Sequence, residues 1–137
     1  MVTNELDQSP GQTAARPGRE PINPDKIAAR ILGERGEDTV AAWYVKHGFR
    51  VLDRNWRCAE GELDIVAVDD EVLVFCEVKS RASDRFADPA LAVDHRKQAR
   101  VRRAAFRWLE GHHWPQRIRF DVGIVVSGRI RIIEDAF

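Results

Sequence analysis

The sequence predicts an α/β protein with a mixed central sheet flanked by helices, in the element order αβββαββ. Three observations lead there. Residues 49–79 and 117–134 contain short runs rich in apolar and β-branched residues, each of strand length and separated by turn-forming pairs. Ahead of the first block, and between the two, apolar residues recur at helical spacing instead. A helix between the third and fourth strands supplies the crossover that a parallel neighbour needs, which a tight turn cannot.

The chain has 137 residues, one domain's worth, and its 44% hydrophobic and 32% charged content is that of a globular protein. Residues 1–24 hold four of the six prolines, two glycines and no aromatic residue. Such a stretch cannot bury enough apolar surface to offset its ordering entropy, so 1–24 is predicted to be a disordered tail and 25–137 a single domain. Asp25, after Pro24, is the expected cap of a first helix over about 26–47, whose apolar residues Ile27, Ile31, Val40, Ala41, Tyr44 and Val45 run up to Gly48. Gly33 and Gly36 inside it mark an irregular start or the close approach of another group. Strands are expected over 49–56, 62–68 and 72–79, the last two joined at Asp69-Asp70. After a polar loop, Asp88 as cap and Pro89 at the first helical position open a second helix to about Glu110, which Gly111 and Pro115 terminate. Strands over 117–126 and 129–134 close the chain as a hairpin around Ser127-Gly128.

Charge and cysteine usage narrow the function classes. The 22 basic residues balance the 22 acidic ones, so bulk basicity does not announce a nucleic-acid binder. The first 25 residues hold two of the basic and four of the acidic residues, leaving the folded part at a net +2. No run approaches the roughly 18 consecutive apolar residues of a membrane span, and the start lacks the layout of a secretory signal. A cytoplasmic protein with no membrane partner is expected. Cys58 and Cys76 are read as free thiols, in keeping with a reducing compartment.

The chemistry-bearing residues gather on the central strands. Symmetric pairing about Asp69-Asp70 sets Glu62 opposite Glu77 and Asp64 opposite Phe75, so that Glu62, Asp64, Glu77 and Lys79 share one sheet face. Opposed like charges destabilise a sheet and need a cation. Lys79 can offset one charge, and a hard divalent ion such as Mg²⁺ can bridge the rest. Ordinary solvated strand ends with a surface ion pair would account for the same pattern. The helices add weight to a site: Glu37 falls on the apolar stripe of the first, and Lys97 lies in register with Val93, Val101, Ala104 and Trp108 on the second. A separate row, Arg96, Arg100, Arg103 and Arg107, forms a basic edge, with Arg81, Arg85 and Arg102 nearby in sequence. It is either a solvated helix face or a surface for phosphate backbones. The four histidines are expected at surface or capping positions, with His95, which precedes Lys97, able to touch nucleic acid, the tryptophans mostly in the core, and Asp121 in a structural role, as a cap or as the partner of an arginine.

Gly61-Glu62-Leu63-Asp64 and Phe75-Cys76-Glu77-Val78-Lys79 resemble the PD-(D/E)xK nuclease signature. Taken with Gly33 to Asp38, Arg54-Asn55-Trp56-Arg57, Glu77 to Arg81, Ala92-Val93-Asp94, Lys97-Gln98, Arg119 to Val122 and the terminal Asp135-Ala136-Phe137, the ordered set over residues 30–137 resembles the YraN-like family. That family has a restriction-endonuclease-like fold similar to that of Holliday junction resolvases. Ala87, Cys76 and Val40 depart from its usual residues. The resemblance implies Asp64 and Glu77 as metal ligands, Lys79 as the group that orients the attacking water or meets charge developing at phosphorus, and Glu37 as a further acid of the site. Glu37 or Glu62 would supply the extra carboxylates of a second ion. Lys97 and Gln98 would contact the scissile phosphate, with Arg81, Arg96, Arg100 and Arg103 along the backbone. The function so implied is a Mg²⁺- or Mn²⁺-dependent DNA endonuclease, resolvase-like and able to work as a homodimer. The alternative is a catalytically silent nucleic-acid-binding protein of the same fold, acting in DNA repair or recombination.

Overall fold

A computed structural model describes residues 21, 23–81 and 93–137. Helix α1 spans Pro24–Lys46. Its cap is Asn23 rather than Asp25: the Asn23 side chain accepts the N–H groups of Asp25 at 2.9 Å and Lys26 at 3.4 Å. Pro24 then occupies the first helical position, where its missing N–H costs nothing. The expected tail lies outside the described residues except at Pro21 and at Asn23 and Pro24, which belong to this helix start.

Five strands follow as expected: β1 Arg50–Cys58, β2 Gly61–Val68, β3 Val72–Arg81, β4 Arg117–Val126 and β5 Arg129–Ile133. They form one sheet in the order β1-β2-β3-β4-β5, in which β3 and β4 are parallel and the other neighbours antiparallel. Helix α2, His95–Leu109, lies in the β3-to-β4 crossover and starts later than expected. Asp94 is its cap, accepting the Lys97 N–H at 2.9 Å, and Val93 and Asp94 are not helical. The Asp88 and Pro89 start signals lie outside the described residues. The β4–β5 turn places Ser127 and Gly128 at φ +49° and +79°, the left-handed pair that a tight hairpin demands.

The helices cover opposite faces of the sheet. On one, Val40, Ala41 and Tyr44 of α1 pack with Ile65, Ala67, Val74 and Cys76. On the other, Val101, Ala104 and Trp108 of α2 pack with Val66, Val68, Leu73 and Phe75. Burying each such large side chain contributes about 1.5–3 kcal/mol, so two apolar faces on one sheet hold both helices in place. Trp108 is a core residue that also donates its indole N–H to Asp53 at 2.9 Å. Gly36 lets α1 approach β3, since a Cβ there would strike the Ser80 hydroxyl, whereas Gly33 faces open space.

A buried polar knot ties α1 to the last strands. Asp121, fully buried on β4, receives the Tyr44 hydroxyl at 2.6 Å, two Arg119 guanidinium N–H groups at 2.8 Å each, and the Asp135 N–H at 3.0 Å. Its role is structural, as its sequence setting suggested. Burial beside that carboxylate raises the Tyr44 pKa, so the phenol stays protonated and keeps donating.

The β2–β3 register departs from symmetric pairing by two residues: Ile65 pairs with Cys76, Val66 with Phe75 and Val68 with Leu73. Asp69 Oδ1 accepts the N–H groups of both Glu71 and Val72 at 2.8 Å, which lengthens the turn beyond Asp69-Asp70. A shift of two keeps side chains on their faces but carries Asp64 to the level of Glu77. Glu62 therefore does not oppose Glu77.

Candidate active site

The site forms where the sheet splits. The β2–β3 pairing stops at Ile65 and Cys76, and the β1–β2 register passes over Asn55 and Asp64. Asn55 stands at φ +51°, a left-handed conformation that Asn tolerates better than most residues. Alternation along β2 slips here as well, since Leu63 and Val66 both pack on the α2 side. In the gap, Asp64 Oδ2 accepts the Val78 N–H at 2.9 Å, taking the place of a strand carbonyl. That bond orients the Asp64 carboxylate from the backbone of the strand that also carries Glu77.

Glu77 lies on the α2 side and is 3% exposed. Its Oε1 pairs with Lys97 Nζ at 3.0 Å, while its Oε2 is buried without a hydrogen-bond partner among the described residues. Burial, then the charge of Asp64, pushes the Glu77 pKa up to about 7 against the pull of Lys97 and Lys79. Asp64 is raised too, by burial first and by Glu62, with the Val78 N–H bond opposing. The carboxylates of Glu77 and Asp64 raise the Lys97 pKa in spite of its partial burial. The inward placement expected for Lys97 is thus observed, but the division of labour differs from the expected one. Lys97, not Lys79, makes the ion pair. Lys79 is half-buried, lowers the proton affinity of Glu77, and makes no ion pair among the described residues.

The remaining acids stand further out. Glu37 on α1 is half-buried, and its pKa is raised by burial and by Asp64 and Glu62, with Asn55 and Arg54 working against the shift. It borders the split without joining the Asp64–Glu77 pair. Glu62 is ion-paired with Arg57 at 3.6 Å. Among the described residues, no three His, Cys, Asp or Glu side chains converge closely enough to form a metal cage. The Asp64–Glu77 pair, with one buried oxygen left over, offers the donors of a hard divalent cation, which takes one or two carboxylates and keeps several waters.

On the outer face of α2, Arg96, Arg100 and Arg103 are exposed. Arg107 is engaged by Glu60 at 3.5 Å and Glu110 at 3.4 Å, which shortens the basic row to three. Arg102 lies over the rings of Phe120 and Phe137. Gln98, expected at the phosphate, donates its side-chain amide to the Val93 carbonyl at 3.0 Å and so closes the start of α2. Arg81, exposed at the end of β3, donates to the Ser80 carbonyl at 3.0 Å, and Arg85 lies outside the described residues.

Sequence reasoning missed Asn55, which shapes the split and faces Glu37. Its one signal was an Asn between Arg54 and Trp56 inside a strand-like run, a residue suited to a local break. It also missed Tyr44 as the partner of Asp121, because a tyrosine on an apolar stripe reads as core whether or not its hydroxyl is used.

Among solved structures, the chain is similar to a repair endonuclease from Pyrococcus abyssi, with a TM-score of 0.38 and 15% identity over 80% of this chain and 42% of that one. Sequence relatives are much nearer. A UPF0102 protein of Frankia casuarinae is 54% identical over 77% of this chain and 92% of its own length. One from Frankia alni is 53% identical over 72% and 82%, and one from Streptomyces griseus 48% identical over 74% and 88%. The model of the uncharacterised protein family UPF0102 matches residues 36–125, a span running from Gly36 through the split and α2 to the end of β4. The chain belongs to that family, UPF0102, the YraN-like group its motifs resemble.

Proposed function

We propose that the protein is a divalent-metal-dependent DNA endonuclease that hydrolyses phosphodiester bonds. The observation that carries this reading is the convergence of Asp64 and Glu77 in the split between β2 and β3, Glu77 buried, Asp64 half-buried and oriented by the Val78 N–H, with two lysines alongside. Burying two carboxylates together is costly unless a cation compensates them, and Lys97 supplies only one charge. Asp64 and Glu77 would hold Mg²⁺ or Mn²⁺, with Glu37 and Glu62 contributing their charge from the rim. When bound, such an ion lowers the pKa of water and polarises a phosphoryl oxygen. Lys79, at the mouth of the pair, orients the attacking water or meets the charge that develops at phosphorus. Arg96, Arg100 and Arg103 hold the phosphate backbone alongside.

A second reading is favoured by two observations: Glu77 is already ion-paired, and no three donors converge among the described residues. On that reading the protein binds nucleic acid in repair or recombination without cutting it. Purified protein titrated with Mg²⁺ or Mn²⁺ against linear, single-stranded and four-way-junction DNAs separates the two. The enzyme reading expects metal-dependent cutting that Asp64→Asn and Lys79→Ala both abolish while DNA binding persists. Binding without cutting on every substrate would leave the silent binder, and cutting that survives either substitution would overturn the site.

A further inference from the structure

We infer that Lys97 is a displaceable counter-ion: its ammonium holds the carboxylate pair in the metal-free protein and competes with the divalent cation for the same oxygens. The inference rests on the proposed metal dependence and deepens it.

Lys97 Nζ sits 3.0 Å from Glu77 Oε1, and the charges of both Glu77 and Asp64 act on it. Among the described residues the other buried oxygen of Glu77, Oε2, has no hydrogen-bond partner. Two ionised carboxylates and one ammonium leave a net charge of −1; a divalent cation added beside the ammonium would overshoot to +1, whereas one that replaces it would bring the pair to zero. Lys97 differs from Glu77 in its freedom to leave. Its side chain is 32% exposed against 3% for Glu77, and it ends a flexible four-carbon stem. The Glu77 carboxylate is fixed in the packed sheet, so it is the lysine that moves when a second cation arrives. No bond breaks and no proton is transferred: the ammonium departs with its charge and becomes available to a phosphate oxygen at the same mouth. The same contact that steadies the unliganded site is thus a barrier to loading it.

The test is Mg²⁺ binding by calorimetry at about pH 8.5, on the full chain and on Lys97→Met, which keeps the stem and removes the charge. Lys97→Met is expected to bind Mg²⁺ about tenfold more tightly, a difference of about 1.4 kcal/mol. In parallel, its melting temperature without metal is expected to fall below that of the wild type and to recover on adding Mg²⁺. Lys97→Arg, which keeps the charge, is expected to bind Mg²⁺ as the wild type does. Equal or weaker Mg²⁺ affinity in Lys97→Met, with measurable binding in the wild type, would overturn the inference and leave the nuclease reading standing. Absence of binding in both proteins would overturn the metal dependence itself.

Discussion

Replacing Glu77 with glutamine is expected to make the metal-free protein more stable at neutral and alkaline pH. Folding moves the Glu77 carboxyl from the ordinary 4.5 to about 7, burial being the main cause. The folded state therefore binds the proton more tightly than the unfolded one, by about 3 kcal/mol at about 1.4 kcal/mol per tenfold in affinity. The stabilisation is fully present below the unfolded value of 4.5 and is lost as the pH rises through about 7. Glutamine mimics the neutral form and does not ionise, so the variant escapes that loss. Lys97 gives up its partner in the variant but turns its one-third-exposed side chain to solvent. Urea unfolding with chelator, at several values between about pH 4.5 and 8, gives the difference in stability and cancels the titrations that are not coupled to Glu77. The difference should move toward the variant by up to about 3 kcal/mol across that range. Parallel curves, within about 0.5 kcal/mol, would refute the claim that Glu77 is charged at a cost in its burial site.

Other expectations are as direct. Arg100→Ala with Arg103→Ala should weaken DNA binding uniformly across sequences and lower the slope of log affinity against log salt by about 2; an unchanged slope would return the row to a solvated face. Tyr44→Phe removes one of four donors to a buried carboxylate and should cost about 2 kcal/mol in urea unfolding, a value below about 0.5 kcal/mol arguing against the knot as a stabilising unit.

The order αβββαββ was legible because both signals behind it are strong: strand-length runs bounded by turn pairs, and a charged helix with a clean apolar row. The places where reading and structure part are local competitions. Asn23 won the α1 cap from Asp25 because proline suits the position after a cap. Asp69 folded its side chain onto two backbone N–H groups and thereby moved a register that two-residue turn geometry sets differently. In the site, Asp64, Glu77 and Lys97 were all named, Lys97 on the strength of an ammonium on an apolar row. What alternation could not supply was the split itself. A rule that assigns each residue to one of two faces has no place for a carboxylate in the plane of the sheet, and it credited Lys79 with the pairing that Lys97 makes.

The Val78 amide owes its place in the sheet to a side chain. Its neighbours are protected from solvent exchange by carbonyls, acceptors that do not titrate, whereas its own protection depends on the protonation and occupancy of Asp64. Hydrogen exchange at that single amide is therefore a built-in gauge of the acid pair, readable without substrate. It also makes Asp64→Ala a poor choice of control: alanine leaves an N–H with no side-chain acceptor inside a split sheet, while asparagine keeps one oxygen for it and removes the charge.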